Sequence, residues 1–490
     1  MSVQKSALEV DICIIGAGSG GLSVAAGASQ LGASVALVER HLMGGDCLNF
    51  GCVPSKALLA AGKSAHNMET AGRFGLTAVD PNAGAGVDVK AVRQHVRDVI
   101  AGIAPHDSVE RFRALGVNVI EGAAKFTGPR EVEVEVEIED AGQSVTARRI
   151  TARRFVIATG SSPFVPPIPG LDKAPFLTNE TLFEYDDPMA HLIVIGGGPI
   201  GVEMSQAHQR LGVQVTLIEK HRILAKDDPE MATVVHNRLA KEGVNILTGC
   251  NVERITPDSG DGITVHLDDG QAISGSHILV AAGRKANVSG LNLEAANVDY
   301  SPRGIVVDRR LRTSNKKIFA IGDVAGGLQF THVAGHHAGI VIRNALFRLP
   351  AKAKQTAIPW VTYTDPELAQ VGLQETDARA EAGDIHILRF PFAENDRAQA
   401  ERDTDGLIKI ITAKNGRVLG VTIVGPHGGD LIQPWVLAVE QGLKIGAMAG
   451  AIWPYPTFGE VGHRAAGSYF VPKLFTDRTR AIVKFLSKFG

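Results

Sequence analysis

Cysteine is scarce in this chain, with four among 490 residues. That is too few to staple a secreted protein of this size, so a disulfide here would serve chemistry rather than scaffolding. Long apolar runs are missing too: none reaches the ~20 residues that cross a bilayer. The start of the chain, as far as Glu9, lacks the basic-then-apolar order of a secretory leader. Excess charge of one sign is absent, since 50 Lys+Arg against 52 Asp+Glu leave a formal net charge of −2. That balance gives no sign of a nucleic-acid binder. A reducing, cytoplasmic setting is expected. At 44% hydrophobic and 21% charged residues the chain is globular, and its length calls for three or four domains.

Two of the four cysteines, Cys47 and Cys52, fall in Gly44-Gly-Asp-Cys-Leu-Asn-Phe-Gly-Cys-Val-Pro-Ser-Lys56. Five positions along a regular helix would hold their Cα atoms roughly 8–9 Å apart, whereas a disulfide needs about 4.4–6.8 Å. Pairing them requires a distorted turn, which Gly51 would ease. Bridges under strain are the reducible ones. The spacing is neither that of zinc fingers nor that of thioredoxins. By itself it leaves a redox pair and two unpaired thiols equally open. Cys13 lies within an apolar strand and reads as core.

What is abundant is glycine in register. Val10–Ile15 reads as a buried strand, and Gly16-Ala-Gly18-Ser-Gly-Gly21 follows it. A run of small residues then leads to a second strand, Ser34–Val38, ending at Glu39. This is a dinucleotide-binding βαβ fingerprint. The glycines permit a tight turn and the approach of a pyrophosphate to a helix N-terminus, and the acid accepts ribose hydroxyls. Every landmark recurs 180 positions later, as Gly196, Gly198, Gly201 and Glu219. Both copies retain their glycines and acid, so two working nucleotide sites are expected.

Between the copies, Glu131–Glu139 alternates strictly and reads as a strand with one wet face, its acids solvated rather than metal-binding. Asp140–Gln143 would turn the chain into a return strand. Phe155–Gly160 reads as a separate strand, and the prolines of Ser162–Pro169 as an interdomain linker. Further on, His277–Arg284 closes another strand, and Lys317–Asp323 delivers an aspartate to a strand's carboxyl end, where α/β sheets bind ligands. The block after Ile358 holds strand candidates Leu407–Ile411 and Val418–Val424 and a helix candidate Leu431–Gly442, with no third fingerprint.

In this order the landmarks resemble the class I pyridine nucleotide-disulfide oxidoreductases, a family that includes dihydrolipoamide dehydrogenase, glutathione reductase and mercuric reductase. The two fingerprints, Gly44–Lys56, Ala158–Gly160, Ala281–Asn287, Ile321–Asp323 and Tyr363–Gly372 carry the likeness, from about Val10 to Ser468. Phe390–Gly406 looks closest to dihydrolipoamide dehydrogenase. The resemblance implies an α/β fold with two Rossmann-like nucleotide-binding domains, for FAD and NAD(P), and a C-terminal α+β dimerisation domain. The expected divisions are 1–160 (FAD, first part), 161–285 (NAD(P)), 286–355 (FAD and central, second part) and 356–490 (interface and tail).

It further implies a homodimer in which Gly16, Gly18, Gly21 and Glu39 hold the ADP half of FAD, with Gly45, Thr159, Gly160 and Gly283 also against cofactor. Asp323 would bind ribitol, and Lys56, paired with Glu203, would lie near flavin N5. Cys52 would be the flavin-side sulfur and Cys47 the interchange thiol. Gly196, Gly198, Gly201 and Glu219 would hold the nicotinamide nucleotide. Glu219 favours NADH because it would repel a 2′-phosphate, although Lys220, His221 and Arg222 stand next to it. No metal site is expected.

The chain departs from the family where dihydrolipoamide dehydrogenases and glutathione reductases carry His-Pro-Thr-x-x-Glu. Here the run is Tyr455-Pro-Thr-Phe-Gly-Glu460. A phenol with a pKa near 10 is a poor base at neutral pH. His463 reads as a surface histidine rather than a substitute. Tyrosine near this position also resembles mercuric reductases, which points to metal-ion or quinone reduction as the alternative activity. The basic, amphipathic Phe470–Gly490 is expected to pack on the chain's own dimer face. Contact with an anionic membrane, as part of a flavin-bound interaction module, is the competing expectation.

Overall fold

The computed structural model describes residues 7–79, 86–137, 145–257, 262–354 and 356–489. The chain divides into two compact units. One comprises Met1–Ala61, Ala85–Gly196 and Val252–Lys354; the other comprises Gly62–Gly84, Gly197–Asn251 and Gln355–Gly490.

The first unit is built on the strand Leu8–Ile15, which pairs in parallel with Val35–Glu39 on one side and Val145–Ile157 on the other. Ile12, Cys13 and Ile14 are almost completely buried, as expected of a strand with parallel neighbours and both faces covered. Asn118–Glu121 extends the sheet beyond Val35–Glu39, and Ile318–Ala320 pairs with Phe155–Ile157. Asp323 is thereby brought to the same sheet end as the first glycine turn. Glu131–Glu137 pairs antiparallel with the beginning of Val145–Ile157. Val132 and Val134 face the core, which is the alternation read from sequence. Ile138, Glu139 and the turn expected at Asp140–Gln143 lie outside the described residues.

Two expectations are corrected here. The return strand and the strand read at Phe155 are one 13-residue strand, Val145–Ile157, because the stretch Thr146–Arg154 contains no turn-forming residue to break it. The proposed linker begins as structure: Ser161–Pro163 pairs antiparallel with Arg284–Ala286, and the Phe164 N–H donates to the Gly283 carbonyl at 2.9 Å. Prolines read as spacers do not reveal a backbone partner more than a hundred residues away. The same unit holds the parallel strands Phe176–Leu177, His277–Val280 and His191–Ile195.

The second unit contains the helix Pro199–Arg210 and the parallel pair Gln214–Glu219 and Asn245–Thr248. It also contains a five-stranded antiparallel sheet in the order Trp360–Thr362, Glu367–Gly372, Val418–Gly425, Leu407–Ala413, Ile385–Pro391. All eight residues of Val418–Gly425 are buried. Trp435, Phe392, Phe458 and Val461 share its core. A buried lysine pins the sheet to the helix Pro229–Lys241. Lys409 Nζ meets Asp228 at 2.8 Å, Glu375 at 2.9 Å and Glu230 at 3.1 Å, and its side chain is only 3% exposed. The final helix, Asp477–Leu486, leaves Ile482, Val483, Phe485 and Leu486 about half to three-fifths exposed within the single chain. Among the described residues no helix is long and apolar enough to cross a membrane.

Candidate active site

The two fingerprints repeat in atomic detail. Gly16 has φ +103° and Gly196 φ +113°, and a Cβ on either would lie 2.5 Å from a carbonyl oxygen, that of Ala158 or Ala281. Glycine is therefore required at both turns. A Cβ on Gly21 would sit 1.9 Å from the Gly16 carbonyl oxygen, so the third glycine closes the turn against the helix. Glu39 Oε2 accepts the Ala17 N–H at 2.6 Å, and Oε1 accepts the His41 N–H at 2.9 Å. In the second copy Glu219 Oε2 accepts the Gly197 N–H at 2.7 Å, and Oε1 accepts the His221 N–H at 3.0 Å. The helices that follow, Ser19–Gln30 and Pro199–Arg210, start at Gly18 and Gly198 with neither a side-chain cap nor a first-turn acid. Their leading N–H groups and positive dipole ends suit a pyrophosphate. Gly201 is buried in the second helix.

The redox turn packs on the first fingerprint. Gly44 bridges Gly18, its N–H donating to the Ala17 carbonyl at 3.0 Å. Gly45 has φ +60°, and a Cβ there would meet Gly18 Cα at 2.8 Å. A five-residue helix, Gly45–Asn49, carries Cys47, and a longer one, Cys52–Glu69, starts at the second cysteine. This break supplies the distortion the spacing demanded. Gly51 contributes by close approach rather than by a left-handed backbone, since a Cβ would lie 2.9 Å from Asp46 Oδ2.

The two sulfurs are free thiols of opposite character. Cys52 is drawn down to about 6, first by a hydrogen bond from Cys47, against the opposing effect of burial. The Thr331 hydroxyl and the Lys56 ammonium act in the same direction, and Asp46 acts against it. Cys47 is pushed up by the same hydrogen bond and by burial. Thr331 Oγ1, in the first turn of the helix Thr331–Ala345, stands 3.6 Å from Cys52 Sγ. The pair therefore ionises at one sulfur, Cys52, which can act as an electron donor while Cys47 remains protonated. Lys56 follows one turn along the helix from Cys52 and donates to Ser55 Oγ at 3.3 Å.

Asp323 Oδ2 accepts from Ser161 Oγ at 2.6 Å, and burial raises its pKa. A half-buried acid able to share hydroxyl protons at a sheet's carboxyl end fits a polyol chain. Thr159 and Gly160 are held by Asn287: Thr159 Oγ1 donates to its carbonyl at 2.8 Å, and Asn287 Nδ2 donates to the Thr159 carbonyl at 3.0 Å. Gly283 has φ +121°. The glycine cradle, Glu39 and Asp323 thus fit FAD in the first unit.

In the second unit Glu203 is buried, and its Oε1 accepts the Tyr363 N–H at 2.9 Å. Tyr455 is 68% exposed, and its hydroxyl donates to Asp396 Oδ2 at 3.0 Å. That bond raises the phenol's pKa. Glu460 is buried, 3.7 Å from Arg464. The acid that orients Tyr455 is therefore Asp396, 59 positions away in sequence, with no local signal to reveal it. His463 is half-buried, its ring stacked on Trp453 and its Nε2 3.2 Å from the Ala449 carbonyl. Sequence reading also missed Thr331, Ser161 and Asp396, all polar residues that act through partners far along the chain.

Comparison with known proteins agrees with this geometry. The family described as pyridine nucleotide-disulphide oxidoreductase matches residues 10–338, and its dimerisation domain matches residues 358–466. A mercuric reductase of Bacillus cereus is 37% identical over 92% of this chain and 70% of its own length. A dihydrolipoyl dehydrogenase of Geobacillus stearothermophilus is 33% identical over 95% of this chain and 97% of its own. Among solved structures, the Cu(II) complex of the HOCl-induced flavoprotein disulfide reductase RclA from Escherichia coli superposes with TM-score 0.83 at 26% identity, covering 94% of this chain and 99% of that one.

Proposed function

Since the chain belongs to the pyridine nucleotide-disulphide oxidoreductase family, a family of FAD-dependent, dimer-forming enzymes, we propose that its Cys47–Cys52 pair passes electrons from NADH to a disulfide or metal-ion acceptor. The observation that carries this reading is the unequal ionisation of the two thiols beside the first fingerprint. FAD, when bound, supplies a carrier that takes a hydride from the nicotinamide and hands two electrons to the disulfide. The chain does the rest. Gly16, Gly18, Gly21, Gly45, Glu39, Thr159, Gly160, Gly283 and Asp323 would hold the flavin nucleotide, with Lys56 supplying a cation one helical turn after Cys52 and Glu203 a buried carboxylate in the second unit. Cys52 holds the negative charge of the reduced pair, and Cys47 attacks the acceptor as its proton passes to the Cys52 sulfur to which it is hydrogen-bonded. We assign 1–160 and 286–355 to FAD, 161–285 to the nicotinamide nucleotide and 356–490 to dimerisation.

NADH is favoured over NADPH. Glu219 ends the strand of the second fingerprint, where a carboxylate would repel a 2′-phosphate. Arg222 is engaged by its own loop, donating to the carbonyls of Leu224 at 2.9 Å, Ala225 at 2.9 Å and Asp227 at 2.6 Å. A cytoplasmic location suits a pair that must cycle through its dithiol form.

Dihydrolipoamide dehydrogenase activity is the reading suggested by Phe390–Gly406, although over the whole chain the mercuric reductase is the more similar of the two relatives, at 37% against 33% identity. The Tyr455–Asp396 bond favours the alternative, a mercuric-reductase-like metal-ion reductase. A phenol that donates to a carboxylate cannot accept a thiol's proton at neutral pH, but its oxygen lone pairs remain available to a cation. For the tail, docking on the dimer face is preferred to contact with an anionic membrane. Deleting residues 470–490 should leave vesicle sedimentation unchanged; loss of binding on deletion would favour the membrane.

Anaerobic titration of the purified holoenzyme with NADH tests the main reading. A long-wavelength thiolate-to-flavin absorbance should appear after two electrons and be absent in Cys52→Ser. Direct bleaching of the flavin without it would overturn the reading. An acceptor panel run with Cys47→Ser then separates thiol-dependent reduction, which should be lost, from quinone reduction, which should persist.

A further inference from the structure

The residue between Gly45 and Cys47 is an aspartate on a half-buried turn, and its carboxylate is firmly held. Asp46 Oδ1 lies 3.1 Å from Arg284 Nη2 and accepts from Asn179 Nδ2 at 3.0 Å. Arg284 is only 13% exposed and Asn179 is 7% exposed. Asn179 Nδ2 also donates to the Phe50 carbonyl at 3.1 Å, so one amide grips the redox turn at two points. Asp46 Oδ2 sits over Gly51, the residue immediately before Cys52. Arg284 continues inward, its Nε donating to Ser161 Oγ at 2.7 Å and its Nη2 to the Ser161 carbonyl at 2.8 Å. Ser161 Oγ then donates to Asp323 Oδ2 at 2.6 Å. A continuous polar chain thus runs from the exchange turn to the acid assigned to ribitol.

We propose that Asp46 is a positioning residue that both anchors the redox turn to the Asp323 end of the flavin site and sets how strongly reducing the Cys47–Cys52 pair is. The inference rests on the reading of that pair as the electron exit. Its physical basis is one fixed negative charge beside a sulfur that must carry a negative charge when reduced. Like charges disfavour each other, so Asp46 destabilises the Cys52 thiolate and with it the reduced state. The other charged groups bearing on Cys52 are Lys56, which acts in the opposite direction, and Cys47 itself; Thr331 contributes a hydroxyl. Arg284, paired with Asp46, and Asp323, whose own pKa Asp46 raises, are the further charged groups that bear on that carboxylate. Asp46 therefore makes the dithiol a stronger reductant, and its clamp keeps that charge from swinging into water.

Asp46→Asn removes the charge while retaining an oxygen for Arg284 and Asn179, and Asp46→Glu restores it. In two-electron-reduced holoenzyme, the pH midpoint of the long-wavelength absorbance should fall by about half a unit in Asp46→Asn and stay near the wild-type value in Asp46→Glu. That threefold change, at 29.6 mV per decade, raises the disulfide potential by about 15 mV. Alkylation of Cys52 by iodoacetamide as a function of pH, read by mass spectrometry, gives the same midpoint even in a variant that loses flavin. An unchanged midpoint in Asp46→Asn overturns the inference, as does an equal shift in Asp46→Glu. Wild-type enzyme that shows no long-wavelength absorbance would instead refute the electron-exit reading on which the inference rests.

Discussion

Thr331 offers the most direct test of how the site selects one thiolate. Its hydroxyl lies 3.6 Å from Cys52 Sγ and donates to the sulfur when that sulfur is ionised. A hydrogen bond to a charged group contributes about 1.5–3 kcal/mol, and the length of this one argues for the lower end. Each pH unit corresponds to about 1.4 kcal/mol, so Thr331→Val should raise the Cys52 midpoint from about 6 by about one unit. At pH 7 the thiolate fraction would then fall from about nine-tenths to about one half. The assay is the long-wavelength absorbance of the NADH-reduced enzyme, followed between about pH 5 and 9. Thr331→Ser keeps the hydroxyl and should titrate like wild type. If Thr331→Val titrates with the wild-type midpoint, or if Thr331→Ser moves as far as Thr331→Val, the hydroxyl is not what stabilises the thiolate.

Other consequences can be measured with equal directness. Lys409→Met strands the buried Asp228 with Glu230 and Glu375 nearby, and should cost about 3–5 kcal/mol of stability in denaturant melts. Burial, with His336 beside it, lowers His337 from 6.5 to about 4, and its Nδ1 accepts the Gly322 N–H at 3.3 Å. Because the folded value lies below the unfolded one, this stabilisation is intact above pH 6.5 and is lost as the pH falls toward 4. Flavin release, followed by fluorescence, should rise over that window and flatten in His337→Gln. Tyr455→His should raise dihydrolipoamide turnover in a steady-state assay, and no change would show that residue 455 is not the proton-handling position. Gly45→Ala places a Cβ against Gly18 at φ +60° and should weaken flavin retention measured by ultrafiltration.

The features legible in the sequence were those encoded by residue type at fixed spacing. Gly16 with Glu39, and Gly196 with Glu219, form a pattern in which each residue has few substitutes, because a backbone carbonyl occupies the space of a side chain at each turn. Asp323 was visible because it ends a strand of apolar residues. Partnerships across the chain were not legible. Asp396 meets Tyr455, Ser161 meets Asp323 and Arg284 meets Asp46, yet Asp396, Ser161 and Asp46 each read alone as an ordinary polar group. The long strand Val145–Ile157 carries two basic pairs, Arg148-Arg149 and Arg153-Arg154, on a stretch whose continuity no residue pattern announces. In the sheet Arg149 lies 3.9 Å from Glu133 on the acidic strand, and Arg153 lies 3.3 Å from Asp11 on the opposite neighbour.

The doubled engagement of Glu219 constrains any redesign of the nucleotide preference. Both of its oxygens already accept backbone N–H groups, from Gly197 and His221. Exchanging it for a small or basic side chain would open room for a phosphate, but would also unhook the glycine turn that receives the pyrophosphate. A successful switch would have to bring its own acceptor for the Gly197 N–H, so single substitutions at 219 should reduce affinity for both nucleotides before improving either. The same holds at Glu39 in the first fingerprint, where the parallel pair of bonds makes the carboxylate a hinge pin of the turn in addition to the ribose contact proposed for it.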